Sequence, residues 1–211
     1  TALSDFIQAH KTVVETLPLS PIKTFFNKCH AALSKPGVPI TKDISNLQPV
    51  CKYIPESLQI AGNQGPELKQ LSAKFQSLYQ QLPWHPSDRS TDKKSAFYRG
   101  HANAVMTGHG GLEEHSSVRF GVSLIAPNIE YPNHKHPPEE GYLVGTYEIR
   151  VPLKSSKNDH GKIMLPLKAK VDDLGENGGV LRGKAYSNTE EGTVNQIVCE
   201  IMCRWAISRC S

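Results

Sequence analysis

The first part of the chain carries apolar residues at the spacing of α-helices. Ser4 can cap a helix that continues to Leu17, and Pro21 suits the first turn of a second helix that ends before Gly37. A third helix is predicted from Pro66, because apolar residues recur after it at helical spacing. Those residues are Leu68, Leu71, Phe75, Leu78 and Leu82. We predict that these helices pack their apolar stripes onto a partner surface.

Beyond a connector, the period of the pattern changes to that of β-strands. The connector is residues 82–95, LPWHPSDRSTDKKS, which are rich in Pro, Ser and Asp. In residues 116–127, SSVRFGVSLIAP, apolar and polar positions alternate, which predicts a half-buried strand. Residues 141–153 and 162–171 are also strand-like. Residues 194–207 fit either a strand or a helix, and their place among short strands favours the strand.

The pattern predicts an N-terminal helical layer on an antiparallel β sandwich or barrel. We place the boundary between the helical segment, residues 1–83, and the β-barrel, residues 84–211. Hydrophobic residues make up 38% and charged residues 21% of the 211-residue chain, which is an ordinary globular balance.

The charge and the cysteine content indicate which partners and which cellular compartment to expect. The formal net charge is +4, and no run of lysines interleaves with aromatic residues, so we expect no nucleic-acid partner. No stretch approaches a membrane span, and the N-terminus does not resemble a signal peptide, so we expect no membrane partner. The five cysteines do not follow the paired spacings of a disulfide framework. We therefore expect reduced thiols and a cytoplasmic protein.

Residues 131–144, YPNHKHPPEEGYLV, concentrate side chains that bind metals or move protons. His134, His136, Glu140 and Tyr142 have equal parity, which on a strand would put them on one face. Neutral imidazoles with a carboxylate are a ligand set for Zn²⁺, Fe²⁺ or Mn²⁺. A lone His-x-His pair is more often a surface or core feature than a metal site. The added glutamate and tyrosine favour a metal site here.

The same segment resembles the first conserved motif of the cupin superfamily, and more narrowly that of the cupin-type dimethylsulfoniopropionate lyases. Their pattern is Tyr-Pro-x-His-x-His, then three residues, Glu, one residue, and Tyr-x-Val. Every position is matched here, by Tyr131, Pro132, His134, His136, Glu140, Tyr142 and Val144. The resemblance is specific from about Leu82 to Val144 and only architectural before that.

The resemblance implies a mainly β protein, with a cupin-like antiparallel β-barrel (a jelly roll) after the helical layer. It also implies a metal-dependent lyase that cleaves the small zwitterion dimethylsulfoniopropionate to dimethyl sulfide and acrylate. His136 and Glu140 match metal ligands of the family, and His134 matches the other histidine of the motif, a ligand or a neighbour of one. Tyr142 matches a tyrosine at the metal, and Tyr142 or Tyr131 is the expected base.

The resemblance leaves several points open. The cofactor is expected to be a divalent transition metal, Zn, Fe or Mn, without a choice among them. Cupins often dimerise through sheet edges, so a homodimer is compatible with the resemblance. Aromatic faces such as those of Trp84, Tyr98 or Trp205 are candidates to hold the sulfonium by cation–π attraction.

The chain departs from the family where a second motif supplies another histidine. After residue 144 the only histidine is His160, in SSKNDHGK. Three accounts stay open: His160 or one of His101, His109 and His115 completes the site, three protein ligands and water hold the metal, or the site is lost. A surface loop is the favoured interpretation of His109 and His115.

Two other functions fit the same residues. One is a different metal-dependent cupin enzyme, such as a dioxygenase or an isomerase, because fold and ligands alone do not determine the reaction. The other is a non-catalytic cupin that binds a small ligand.

Overall fold

The computed structural model describes residues 1–41, 43–86, 92–126, 129–134, 139–144, 149–150, 170–172, 181–185 and 196–203. From residue 130 on, the description is of the backbone, except at Gly141 and Leu143. Helices precede a set of mostly antiparallel strands. The division into segments 1–83 and 84–211 stays a prediction.

Five α-helices lie among the described residues of the first half of the chain. They are α1 (Ala2–Thr16), α2 (Pro21–Leu33), α3 (Ile54–Gly62), α4 (Pro66–Gln76) and α5 (Ala96–Gly100). Two short 3₁₀ helices, Pro49–Tyr53 and Tyr79–Gln81, precede α3 and follow α4. Of the five, α3 and α5 were not predicted from the apolar spacing.

The helix ends correct two details of the prediction. The cap of α1 is Thr1, whose hydroxyl accepts a hydrogen bond from the Ser4 amide at 3.1 Å, so Ser4 lies in the first turn. The third predicted helix ends at Gln76 instead of continuing to Leu82, and a 3₁₀ turn carries the chain onward. At α2, Ser20 is the cap and Pro21 occupies the first turn as predicted.

The strands form a larger and a smaller sheet. They are β1 (Val38–Pro39), β2 (His85–Pro86), β3 (His101–Thr107), β4 (Glu113–Glu114), β5 (Val118–Ile125), β6 (Glu130–His134), β7 (Glu139–Val144), β8 (Ile149–Arg150), β9 (Lys170–Asp172), β10 (Leu181–Ala185) and β11 (Gln196–Cys203). The larger sheet has the order β1-β4-β3-β5-β11-β7-β9, with β2 paired to β3. The smaller sheet has the order β6-β10-β8.

The central strands confirm the period-two interpretation. The predicted strand in residues 116–127 is β5, but it is buried on both faces instead of half-buried, and Arg119 is the one residue of Val118–Ile125 that is partly exposed. Residues 196–203 form β11, which pairs along its length with β5 and also with β7, so the strand and not the helix is correct there. Both neighbours of β11 are antiparallel to it.

The helices cover one face of the larger sheet. Helix α2 lies against β5, β7, β9 and β11, and α1 reaches β5 through Phe6, whose ring stacks on Phe120 at 5.8 Å. Phe75 of α4 packs on Phe6, with 5.4 Å between the two ring centroids. These rings are buried, and burial of such apolar surface is the main stabilising contribution to the fold. The helical layer is therefore packed on the sheet through one continuous core.

No helix in the described ranges combines the length and the apolar character that crossing a bilayer requires.

Candidate active site

Helix α2 covers one of the two faces of β7. A Cβ built on Gly141 would lie 2.7 Å from Cε1 of Phe25 and 3.0 Å from Cε1 of Phe26, so the helix packs directly on the strand backbone there. Leu143, two residues on, is buried. Because successive residues of a strand alternate between faces, Glu140 and Tyr142 share the face of β7 opposite the helical layer.

A bulge in β6 brings Tyr131 and His134 to one face of the smaller sheet. His134 is paired with Leu181 and Tyr131 with Gly183, and the register shifts between these pairs. Leu181 and Gly183 are two residues apart and share a face of β10, so their partners share a face of β6. The extra residue in β6 makes this possible although Tyr131 and His134 are an odd number of residues apart.

The motif spans two strands in different sheets, so its parity argument applies only within β7. β6 ends at His134 and β7 begins at Glu139. Residues 135–138 join the two strands and can separate these ends by at most about 18 Å. His136 lies in this connection, outside the described residues. The structure therefore places Glu140 and Tyr142 together on β7, with Tyr131 and His134 on the strand that precedes it.

Strand pairing adds further polar residues to the face that carries Glu140 and Tyr142. β9 places Asp172 opposite Glu140 and Lys170 opposite Tyr142. On the other side, β11 places Glu200 opposite Tyr142. Directly opposed residues of antiparallel strands share a face, with Cβ atoms about 5 Å apart. These three charged residues therefore belong to the candidate site.

The sequence interpretation missed all three of these residues. Lysines that alternate with apolar residues, as Lys170 does, are typical of a solvated strand face. Glu200 did carry a signal, since it is the single charged residue of β11, QIVCEIMC. Charged residues are seldom buried unless they are paired, and β11 is flanked by strands on both sides.

The structure describes the side chains of three of the other candidate histidines, His101, His109 and His115. His109 is exposed and its Nδ1 lies 3.3 Å from the Glu114 carboxylate, while Nδ1 of His115 accepts hydrogen bonds from the amides of Ser117 and Val118 at 3.2 and 3.1 Å. Both lie in surface segments, as expected. His101 begins β3, three strand positions from β7, or about 14 Å along the sheet. His160 lies outside the described residues.

Trp84 belongs to the core and not to a sulfonium site. Its indole Nε1 donates a hydrogen bond to the Tyr79 carbonyl at 2.8 Å, and its ring meets Phe75 edge-on at 6.5 Å. The side chain is fully buried. Trp84 therefore anchors the end of the helical layer, and Trp205 lies outside the described residues.

The donor set on β6, β7 and their connection fits a borderline divalent cation in its chemistry. The imidazole of His134 and the carboxylate of Glu140 are groups that Zn²⁺, Fe²⁺ and Mn²⁺ accept. Among the side chains that the structure describes, no three His, Cys, Asp or Glu residues lie together as a metal site requires.

Comparison with solved structures shows which known proteins share this fold. One chain from the crystal structures of the DMSP (dimethylsulfoniopropionate) lyases RdDddP and RnDddQII has 17% sequence identity and a TM-score of 0.70, over 98% of this chain and 94% of that chain. The crystal structure of the DMSP lyase DddQ from Ruegeria pomeroyi DSS-3 has 14% identity and a TM-score of 0.64, over 96% of this chain and 91% of that chain. At these identities the likeness shows a shared fold.

A family model gives the more specific assignment. The model of the dimethylsulfoniopropionate lyases matches residues 23–165, more than half of the chain, including all of residues 131–144. The protein therefore belongs to the dimethylsulfoniopropionate lyase family. This confirms the resemblance found in the motif and the assignment as a carbon–sulfur lyase. A sequence comparison with curated proteins finds no match.

Proposed function

We propose that the protein cleaves dimethylsulfoniopropionate into dimethyl sulfide and acrylate by a metal-dependent β-elimination. The observation that carries this proposal is the family match over residues 23–165, which contains β6 and β7. The backbone supports it, because Glu140 and Tyr142 share the face of β7 that the helices leave open. Tyr131 and His134 lie on the strand that leads into β7.

His134, His136 and Glu140 would hold a divalent Zn, Fe or Mn ion. When bound, such an ion supplies a Lewis acid that stabilises charge at the substrate carboxylate and acidifies the adjacent C–H. A cupin-like barrel, in which β6, β10 and β8 close over the larger sheet, would exclude water from this face. That closure is part of the proposal.

Tyr142 would remove the α-proton of the substrate. A free phenol has a pKa of about 10, and a nearby positive charge favours its phenolate. Lys170, paired with Tyr142 across β9 and β7, is a candidate for that charge. The C–H electron pair becomes the new C=C bond, the C–S bond breaks, and dimethyl sulfide leaves with the bonding electrons. The proton passes to the tyrosine and then to solvent, and Tyr131 is the alternative base.

Three further points stay predictions. Cytoplasmic location is proposed because Cys51 is a buried free thiol and the five cysteines lack the paired spacings of a disulfide framework. The partner is proposed to be the small zwitterion alone, with no nucleic acid or membrane. A homodimer through a sheet edge would be detected by gel filtration with light scattering.

Headspace measurement of dimethyl sulfide tests the proposed reaction. Tyr142→Phe is expected to lower the rate at least about 100-fold, the contribution typical of a positioned acid–base group. His136→Ala is expected to lower it by at least as much, because it removes a proposed ligand of the metal, and even groups that only orient a ligand contribute about 10–100-fold. Tyr53→Phe is the matched control, because it removes the same hydroxyl from the helical segment and not from β6 or β7. Tyr53 ends the 3₁₀ helix before α3, and Nζ of Lys52 lies 4.9 Å from the centroid of its ring. Comparing Tyr131→Phe with Tyr142→Phe identifies the base, because the variant that lacks the base should show the larger decrease in the rate of dimethyl sulfide release.

Two results would contradict different parts of this proposal. If the wild-type protein releases no dimethyl sulfide with Zn²⁺, Fe²⁺ or Mn²⁺, the assigned activity is wrong. If the Tyr142 and His136 variants keep the wild-type rate, the activity stands and the residue assignment is wrong.

A further inference from the structure

We propose that a cavity beside the C-terminal half of α2 binds a small organic anion with an apolar body. The cavity has a volume of about 870 Å³, which is within the range of pockets that hold small molecules. It lies between α2, the segment that joins α2 to β1, β4 and the turns on either side of β4, and we call it the α2–β4 cavity. Because β4 is four strand positions from β7, about 19 Å along the sheet, this cavity is separate from the candidate active site.

The inner surface of the α2–β4 cavity is largely apolar. Ala31 and Ala32 of α2, together with Pro36 and Val38, supply carbon atoms to its lining. Val38 is 69% exposed. A ligand whose apolar part covers these residues removes their surface from water, which is favourable.

The walls of the cavity are held in place by direct contacts between the two sides. A Cβ built on Gly37 would lie 2.5 Å from the carbonyl oxygen of Glu114, so the segment before β1 touches β4. Val38 is paired with Glu114, and the Ile40 amide donates a hydrogen bond to the Leu112 carbonyl at 2.8 Å. The cavity is therefore formed before a ligand arrives, and binding orders little of the chain.

The uncompensated charge around the cavity is positive. Lys28 and Lys35 line it, both are exposed, and neither forms an ion pair with another described residue. The single acidic residue of the lining, Glu114, is already engaged. Its carboxylate lies 3.3 Å from Nδ1 of His109 and accepts a hydrogen bond from the Gly110 amide at 3.2 Å. The two ammonium groups therefore favour a ligand that carries negative charge.

A neutral donor accompanies the two lysines. His115 lines the cavity, and its Nδ1 accepts hydrogen bonds from the amides of Ser117 and Val118. An imidazole nitrogen that accepts hydrogen bonds carries no proton, so the proton of His115 is on Nε2, which acts as a donor. Two cations and an N–H donor beside an apolar surface fit an organic anion better than a neutral or cationic ligand.

Two fluorescent probes with the same aromatic body test the role of charge. The first, 8-anilinonaphthalene-1-sulfonate, is an anion, and the second, N-phenyl-1-naphthylamine, lacks the sulfonate. The wild type is expected to bind the sulfonate more tightly, and added NaCl should weaken only the sulfonate because salt screens exposed charges. In fluorescence titrations, Lys28→Gln/Lys35→Gln should weaken sulfonate binding roughly fivefold and leave the neutral probe unchanged, since each exposed ion pair contributes little.

Two further variants test where the probes bind. Lys69→Gln is the matched control, because Lys69 is an exposed lysine of α4 that does not line the cavity. It should bind both probes as the wild type does. Ala31→Phe adds a ring at an exposed position of the lining, so it should weaken the binding of both probes without disturbing the core.

Several results would overturn this inference, and none of them depends on the lyase reaction. One is sulfonate binding that is as tight in the double lysine variant as in the wild type, or that Lys69→Gln weakens equally. Another is unchanged affinity for both probes in Ala31→Phe, which would place the probes elsewhere. A lower urea midpoint of the double lysine variant with unchanged probe affinity would mean that Lys28 and Lys35 only stabilise the C-terminal end of α2.

Discussion

Lowering the pH from 7 to 5 is expected to destabilise the protein through a pair of buried histidines. His10 of α1 and His30 of α2 form a hydrogen bond between Nδ1 and Nε2, respectively, at 3.0 Å. Both side chains are buried, and His10 also meets the edges of Phe26 and Phe120. The other two ring nitrogens, His10 Nε2 and His30 Nδ1, have no hydrogen-bond partner within the part of the chain that is described.

Burial keeps both imidazoles neutral in the folded protein. Desolvation, together with the charge of Lys11, lowers the pKa of His30 from 6.5 to about 4. Desolvation, together with His30, lowers the pKa of His10 well below its ordinary value. In the unfolded chain both groups take up protons as the pH falls below 6.5, whereas in the folded protein they do not. The unfolded state therefore binds more protons, and acid favours unfolding.

The change in the free energy of unfolding follows from the shift in the pKa of His30. For His30 alone, the free energy of unfolding falls by about 2 kcal/mol between pH 7 and pH 5, and by about 3 kcal/mol once the pH has passed well below the folded pKa. His10 adds a change of the same sign. A fall of this size moves a urea midpoint by roughly 1 M.

Urea unfolding at pH 7, 6 and 5, followed by circular dichroism and by tryptophan fluorescence, to which buried Trp84 contributes, measures how the free energy of unfolding changes with pH. The double variant His10→Leu/His30→Leu should lose most of the pH dependence. His109→Gln should keep it, because the side chain of His109 is 86% exposed. An equal fall in stability between pH 7 and 5 in the wild type and the double variant would refute the reasoning.

Three other substitutions or treatments test the packing. Gly141→Ala is expected to cost about 1–3 kcal/mol of unfolding free energy, because its methyl group would lie 2.7 Å from the Phe25 ring; an unchanged urea midpoint would mean that α2 does not contact β7 there. Phe75→Ala is expected to cost about 3–5 kcal/mol, whereas Leu19→Ala, at a side chain 92% exposed, should change the midpoint little. Burial raises the pKa of the Cys51 thiol, so iodoacetamide should label Cys51 only after unfolding, as peptide mass spectrometry would report, and rapid labelling of the native protein would contradict its burial.

The sequence alone determined the local features of this protein. The alternation in residues 116–127 identified β5, and the proline at residue 21 placed the start of α2. The motif in residues 131–144 was enough to identify the family, because it is a contiguous set of chemical groups. Local spacing is sufficient in these cases because helix and strand periods are properties of neighbouring residues.

Tertiary structure decided which distant residues meet. Parity showed that Glu140 and Tyr142 share a face, but only the contact of Phe25 with Gly141 shows which face the helices cover. No local pattern pairs Asp172 with Glu140, or brings the His30 ring to His10. Strand register and helix packing depend on hydrogen bonds and buried area between segments far apart in the chain, so one sequence period is compatible with many such pairings.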